Sequence, residues 1–375
     1  MSTMQKISRL RRIHPGWYAG TFIAVLAIAA QVLYSTGIYD SWRNSRSVDQ
    51  ACGGILAQGD LATALESSEL RAKPLDLDDG YLAHCLVLRA DSGRNGSLEM
   101  SLRWSTTKPS SLEAFPSGSD LDNGAMGQVA PLGGGWSGIV RNDGSAAVQV
   151  ALDCRNDRSK ALVAYGSFAA PGFAPSKSAA ALTGLGRVTT ETARKTAAKY
   201  GCEASGGEKL TTVSSPPYGA GPNPAKPLGQ ATGSCAALRT LAPTAAQHDV
   251  PQAMEYPADA QAPQVNCYLA TPSTKPGYGL YAFYGTSAKM FRAGATRWLT
   301  SPGGDRTYAS ATAKCPQSTE PAAFVITHLL ELHGNDITHP VPHYSPDFAN
   351  TALKAFADNE AKQRGCTGVR MTATP

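Results

Sequence analysis

One long apolar run stands near the start of the chain. No charged residue occurs between Pro15 and Tyr39, and the stretch from Trp17 to Tyr34 is dominated by apolar side chains. At ~1.5 Å per residue, roughly 22 helical residues span ~33 Å, which matches a hydrocarbon core of ~30 Å. The pattern predicts a transmembrane helix over residues 16–39.

The charges that flank this run predict its orientation. Cations concentrate before it, so residues 1–15 are expected to form a cytoplasmic tail and the bulk of the chain to lie outside the cell membrane. The alternative is a cleaved signal peptide, because Ala27-Ile28-Ala29 has the small-x-small form of a cleavage site. Apolar residues continue to Ile38, which favours a retained anchor, and both interpretations export the rest of the chain. The preceding cations are Lys6, Arg9, Arg11 and Arg12.

Beyond the run, apolar and polar residues alternate over short segments, as is typical of half-buried strands. Val148, Val150, Leu152 and Cys154, for example, alternate with Gln149, Ala151 and Asp153. The pattern predicts an α+β protein with antiparallel sheets and helices packed on one face of each sheet. The predicted elements are a helix over Asp60–Leu70, strands over Tyr81–Ala90, Leu98–Ser105, Trp136–Arg141, Ala146–Cys154 and Ala161–Phe168, and a helix over Thr190–Tyr200; then strands over Val265–Ala270, Gly279–Tyr284, Ala295–Leu299, Thr307–Cys315 and Ala322–Leu332, and a helix from Pro346 to Arg364.

The cysteines repeat at matched intervals. Cys52 and Cys85 are 33 residues apart, and Cys235 and Cys267 are 32 apart. The later pairs, Cys154 with Cys202 and Cys315 with Cys366, are separated by 48 and 51 residues. A tryptophan precedes each third cysteine at nearly the same distance, and a glycine precedes each fourth. We infer two tandem modules, over 47–202 and 235–368, with a Pro/Gly/Ser-rich linker over 203–234.

An even number of exported cysteines at repeated intervals predicts disulfides. The chain has no C-x-x-C pair, which excludes zinc ribbons and thioredoxin-type redox sites. Four cysteines allow three connectivities in each module. The expected pairs are Cys52–Cys85, Cys154–Cys202, Cys235–Cys267 and Cys315–Cys366, so that the second pair in each module joins the closing helix to the fourth strand.

Composition and charge narrow the function further. The chain is 42% hydrophobic, which excludes a wholly disordered protein, and its net charge of +5 lies mostly in the N-terminal tail. The remainder is near neutral and has no basic stripe, so no nucleic-acid partner is expected. No nucleophile elbow or phosphate-binding glycine loop occurs, and we predict no catalytic residue and no cofactor.

One histidine cluster could carry chemistry. His328, His333, His339 and His343 lie close together, and the last three are candidate metal ligands. The motif is not H-E-x-x-H, so His328 and His333 would not share a helical face, and a polar strand end followed by a loop is the favoured explanation. Nearby aromatics, Tyr278, Tyr281, Phe283 and Tyr284, are expected to be core residues rather than a ligand platform.

Two short motifs resemble exported, membrane-anchored actinobacterial proteins of unknown function: Ala51-Cys-Gly-Gly-Ile-Leu56 before an alanine-rich helix, and the closing stretch Phe356-Ala-Asp followed by Ala361-Lys-Gln-Arg-Gly-Cys366. The resemblance implies an α+β cell-surface domain and supplies no activity.

Together these features predict a non-enzymatic, single-pass membrane protein whose extracytoplasmic region binds, senses or organises the envelope, with a surface protein or envelope ligand as partner. The alternative is a metal-dependent envelope hydrolase that uses the His328–His343 cluster. A third interpretation treats the modules as a spacer.

Overall fold

The computed structural model shows an α+β protein with two seven-stranded antiparallel sheets, each built from its own half of the chain. We call them sheet I, order β1-β2-β3-β7-β6-β5-β4, and sheet II, order β16-β12-β13-β11-β10-β9-β8. A small hairpin, β14–β15, follows β13. The structure describes residues 31, 38–75, 80–90, 96–107, 129–142, 146–168, 178–213, 225–256, 259–299, 308–316, 318–333 and 336–372.

The described residues form six α-helices and sixteen strands. The helices are α1 (Ile38–Asp49), α2 (Leu61–Leu65), α3 (Ala179–Lys199), α4 (Ala242–Gln247), α5 (Gly285–Leu299) and α6 (Pro346–Gln363). The strands are β1 (Leu70–Pro74), β2 (Tyr81–Arg89), β3 (Ser97–Trp104), β4 (Val129–Pro131), β5 (Gly138–Asn142), β6 (Ala146–Asp153), β7 (Ala161–Phe168), β8 (Lys226–Pro227), β9 (Gln252–Glu255), β10 (Gln264–Ala270), β11 (Pro276–Phe283), β12 (Tyr308–Lys314), β13 (Ala322–His328), β14 (Glu331–His333), β15 (Asp336–Thr338) and β16 (Thr367–Met371).

The two sheets share the order of five of their seven strands. The run β1-β2-β3-β7-β6 of sheet I corresponds, strand for strand, to the run β9-β10-β11-β13-β12 of sheet II. In that reading each cysteine pair falls on equivalent elements: Cys85 on β2 and Cys267 on β10, then Cys154 after β6 and Cys315 after β12. The repeat seen in the cysteine spacing is therefore also a repeat of strand order.

All four predicted disulfides form, and no cysteine is free. Cys154–Cys202 and Cys315–Cys366 join the end of the fourth core strand to the residue after the closing helix, α3 or α6. Gly201 and Gly365, which precede the final cysteines, have φ of +67° and +66°. A left-handed residue at a helix end turns the chain sharply, and glycine adopts that conformation without a Cβ clash. Each turn thereby directs the following cysteine to its partner.

The helices α3 and α6 cover the outer faces of the two sheets. Leu182, Leu185 and Val188 of α3 pack on the face of sheet I that carries Val148 and Val150. In α6, Phe348, Leu353 and Phe356 lie in the cluster that contains Leu280 and Phe324 of sheet II. Burial of such side chains contributes roughly 1.5–3 kcal/mol each relative to exposure.

The opposite faces of the two sheets meet in a shared apolar cluster. Ile139 and Val163 of sheet I lie in it together with Tyr268, Tyr281 and Phe283 of sheet II. Helix α5 also enters this cluster, where the ring of Phe291 stacks on that of Phe283 with centroids 4.3 Å apart. The result is four layers, helix, sheet, sheet and helix, with α5 beside the central seam.

Three sequence predictions of local structure are wrong. Ala295–Leu299 is the end of helix α5 rather than a strand, because the spacing of Ala288 and Phe291 already follows a helical period. The expectation that helices lie on one face only fails for the same helix. The predicted helix Asp60–Leu70 is limited to α2, and the chain turns at Glu66, φ +50°, toward β1.

The closing helix α3 begins at Ala179, well before the predicted start at Thr190. Glycines disfavour helices, and Gly184 and Gly186 obscure its first half. Their lack of a side chain is required by packing: a Cβ on Gly184 would lie 2.7 Å from the backbone nitrogen of Ala64, and one on Gly186 would lie 2.9 Å from Val213. The ends of the predicted linker are also packed, since Leu210 and Val213 join the core of sheet I and Leu228 and Ala231 that of sheet II.

Almost all of the predicted transmembrane segment, 16–39, lies outside the described residues. Among the residues that are described, no helix is long and apolar enough to cross a bilayer. Helix α1 begins at Ile38 and packs on β1, where the backbone N–H of Ala72 donates to the Ser47 hydroxyl at 2.8 Å. Sheet I is thus attached directly to the chain that follows the predicted span.

Candidate functional site at the seam between the sheets

A groove opens where two equivalent turns come together. One turn, Cys154 to Lys160, connects β6 to β7; the other, Cys315 to Pro321, connects β12 to β13. With the start of helix α5 they line a groove with a volume of about 620 Å³. Ligand pockets commonly enclose ~300–1,000 Å³ and occur at the junction of structural units. We call this the seam groove.

The seam groove is lined by more cations than anions. Its charged lining residues are Arg155, Arg158, Lys160, Lys289, Asp153 and Glu320. Within the described residues, the side chains of Arg155 and Arg158 have no ion pair or hydrogen bond, and both residues are exposed. An unpaired guanidinium on the wall of a groove presents a rigid fork of donors to an incoming oxyanion.

The carboxylates of the groove are already engaged by protein groups. Asp153 accepts a 2.7 Å hydrogen bond from the Thr286 hydroxyl at the start of α5, and Glu320 is paired with Arg292. Below the cations, Ser159 donates to Asp157 through its hydroxyl and its backbone N–H. These bonds, with a contribution from Lys160, hold the pKa of the Asp157 carboxyl below its usual value. The carboxylates of the groove are therefore directed at protein groups.

Lys160 and Lys289 are partly engaged. The Lys160 ammonium lies 3.2 Å from Asp157 and above the Trp104 ring, and the Lys289 ammonium donates to the backbone oxygen of Ser159 at 3.4 Å. The Lys289 bond crosses from sheet II to sheet I. An ammonium keeps further donors after one such bond, so both lysines can still contact a ligand.

A second, smaller chamber of about 260 Å³ continues from the seam groove. The two share Asp153, Pro316 and Ser318, and the second adds Arg364 and three uncharged hydrogen-bonding side chains: Ser137, Gln261 and Gln363. These uncharged groups suit hydroxyls rather than charges.

A buried polar cluster forms the floor of the second chamber. The Tyr284 hydroxyl donates to Glu360 at 3.1 Å, and the Arg364 guanidinium lies 3.5 Å from the centre of the Tyr284 ring. Burial raises the pKa of Tyr284 well above its usual value, and the Glu360 charge adds to this. Burial also raises the pKa of Glu360, against the opposing effects of Arg364 and Tyr284. The cluster fixes Arg364 at the chamber wall.

The structure brings together only part of the histidine cluster. His328 is buried, its Nε2 lies 2.7 Å from the Val341 oxygen, and its ring stacks on that of His339 with centroids 4.1 Å apart. Nδ1 of His339 lies 2.9 Å from the Leu329 oxygen. His343 is exposed, and the side chain of His333 lies outside the described part of the chain. Among the described residues, no three histidine, cysteine, aspartate or glutamate side chains are grouped so that they could hold a metal ion.

The four aromatic residues of β11 and its end are core residues, as predicted. Tyr281 and Phe283 lie in the cluster between the sheets, whereas Tyr278 and Tyr284 lie on the helix-covered face. Alternation along the strand produces this division.

Sequence reasoning missed the seam groove. The cations of the first turn stand within a short polar stretch between Cys154 and Ala161, but Asp153 and Asp157 are interspersed and keep the local net charge low. The available signal was the density of arginine and lysine in one tight turn. These cations face the second module only because of how the two sheets pack, and no local pattern indicates that packing.

Comparison with family models, curated proteins and solved structures found no match for this chain.

Proposed function

We propose that this chain is a non-enzymatic, single-pass membrane protein whose extracytoplasmic region binds a ligand in the seam groove. The observation that carries the proposal is a groove of about 620 Å³ that residues from both halves of the chain line and in which the Arg155 and Arg158 guanidiniums have no hydrogen bond or ion pair to the described residues. Four disulfides support an oxidising location, because they persist outside the cytosol. The apolar run over 16–39 supplies the anchor.

The spacer interpretation explains the groove less well. A spacer requires only stable modules, and its surface cations and carboxylates would be expected to be exposed to solvent to the same degree. Here the carboxylates of the groove bond to protein groups, while the guanidiniums of Arg155 and Arg158 have no such bond to any residue that the structure describes. That asymmetry has no benefit for stability, since like charges repel, and it suits a binding site.

The proposal is tested on the full-length protein in detergent micelles with the small-molecule fraction of envelope extract. A ligand that binds only the folded protein raises the unfolding temperature. We expect such a rise for the wild type and a much smaller one for Arg158→Gln, with Arg370→Gln, an exposed cation outside the groove, as the matched control. Absence of any rise, or an equal rise in Arg158→Gln, refutes binding in the groove.

Two further measurements test the location and the rival activity. Protease added to intact cells should digest the region beyond residue 40, and an untouched protein would contradict export. Stoichiometric zinc that is lost on His339→Ala and His343→Ala would replace this proposal by the metal-dependent hydrolase.

A further inference from the structure

We infer that the ligand of the seam groove is a phosphate monoester with a polyhydroxylated body, of the size of a sugar phosphate. This inference rests on the proposed function and specifies its ligand. It is carried by the juxtaposition of a chamber with excess cations and a second chamber, lined by hydrogen-bonding groups with one cation (Arg364) and one carboxylate (Asp153), in one continuous groove.

Charge in the first chamber matches a dianion. Four cations and two carboxylates line it. Two further charged residues are bonded to these lining groups: Arg292 to Glu320 and Asp157 to Lys160. The charges of Arg292 and Asp157 cancel each other. The local excess is therefore two positive charges. A phosphate monoester carries about −1.5 to −2 charges near neutral pH, whereas a carboxylate carries only one.

Geometry of the donors also favours phosphate. Arg155 and Arg158 stand on one short turn and have no other partner among the described side chains. Lys289 approaches from the opposite unit, where its bond to the Ser159 oxygen places the ammonium against the same turn. Three donors from two directions can engage three terminal oxygens, which a phosphate monoester has and a carboxylate does not.

The second chamber accounts for the body of the ligand. Gln261 and Gln363 each offer an amide donor and an acceptor oxygen, and Ser137 and Ser318 offer hydroxyls. Neighbouring hydroxyls of a polyol both donate and accept, so they match these groups. A purely apolar body would leave the amides without partners in the complex.

The experiment is isothermal titration of the full-length protein in detergent with glucose 6-phosphate, glucose and inorganic phosphate as separate probes. We expect glucose 6-phosphate to bind at least ten-fold more tightly than either of the others. The double variant Arg155→Gln/Arg158→Gln should weaken its binding by about 10–100-fold, the range for loss of charge-assisted hydrogen bonds. Arg370→Gln should leave the affinity unchanged.

Three results would overturn the inference. Inorganic phosphate that binds as tightly as glucose 6-phosphate would show a simple anion site, and glucose that binds as tightly would remove the role of the cations. If glucose 6-phosphate does not bind but envelope material still stabilises the wild type and not Arg158→Gln, the ligand class is wrong while the proposed function stands. If neither binds, both fail.

Discussion

The Thr286 hydroxyl donates a 2.7 Å hydrogen bond to the Asp153 carboxylate, and this bond joins helix α5 of the second unit to the end of β6 in the first. No acidic residue occurs in the first turn of α5 itself. Because the start of a helix carries a partial positive charge, Asp153 supplies from the other unit the anion that α5 lacks. The two units are thereby linked at the edge of the seam groove.

Loss of this bond should weaken the attachment of the units. Thr286→Val keeps the shape of the side chain and removes the donor, and we expect it to lower the free energy of unfolding by about 1–2 kcal/mol, as for a bond to a charged acceptor at a partly exposed site. Thr312→Val, on β12, is the matched control and should change stability much less. Chemical denaturation followed by tyrosine and tryptophan fluorescence measures both, and equal losses would contradict the linkage.

Close packing of α3 against α2 leads to a second prediction. A Cβ on Gly184 would stand 2.7 Å from the Ala64 nitrogen, and backbone atoms cannot move aside cheaply. Gly184→Ala should therefore destabilise the protein by about 1–3 kcal/mol, although alanine is the better helix former. Gly59→Ala is the control, since its Cβ would meet nothing within 4 Å. A neutral or stabilising Gly184→Ala would show that α3 is not held this closely.

Acid should destabilise the histidine stack. Burial lowers the pKa of His328 from its ordinary value of 6.5, against the hydrogen bond to Val341, and His339 adds to the lowering. The unfolded chain then binds the proton more readily than the folded one, so stability from this group is present above pH 6.5 and is lost as pH falls through the lowered pKa.

Denaturation at pH 7.5 and at successively lower pH tests this. His328→Gln keeps a donor for the Val341 oxygen and removes the titration, so its stability should fall less with acid than that of the wild type. His343→Gln, which removes an exposed histidine, provides the comparison. The same slope in His328→Gln and in the wild type would exclude His328 as the source.

The disulfides Cys154–Cys202 and Cys315–Cys366, which occupy equivalent positions in the two modules, should contribute equally to the free energy of unfolding. Cys154–Cys202 closes a separation of 48 residues and Cys315–Cys366 one of 51. Loop-closure entropy assigns about 4 kcal/mol to each. Each double serine variant should therefore lose a similar amount of stability in chemical denaturation, and non-reducing peptide mapping of the wild type should recover both pairs. A cross-link between the two modules would contradict this arrangement.

Local patterns in the sequence predicted much of this architecture. Alternation along Val148, Val150 and Leu152 indicated a strand, which the structure confirms, although its other face, with Gln149, is buried as well. Spacing of the cysteines, with Gly201 and Gly365 before the last of each set, was sufficient for all four disulfides. These features act within a few residues or through a repeat, so they are readable without coordinates.

Other elements carry little local signal. The edge strands β1 and β16, and β9 next to the edge strand β8, are only four or five residues long, so their alternation is too short to be distinguished from a loop. The first half of α3 contains glycines that only its packing against Ala64 and Val213 explains. Propensity disfavours such a helix, and tertiary contacts override it.

What the sequence by itself determined is the repeat and the covalent framework, because cysteine spacing and strand alternation can be read along the chain. The packing of sheet I against sheet II decided the rest. Arg158 and Lys289 are far apart in the chain, and they share a groove only because the inner faces of both sheets are apolar and bury each other. That burial depends on complementary surfaces from two halves of the chain, which no local pattern encodes.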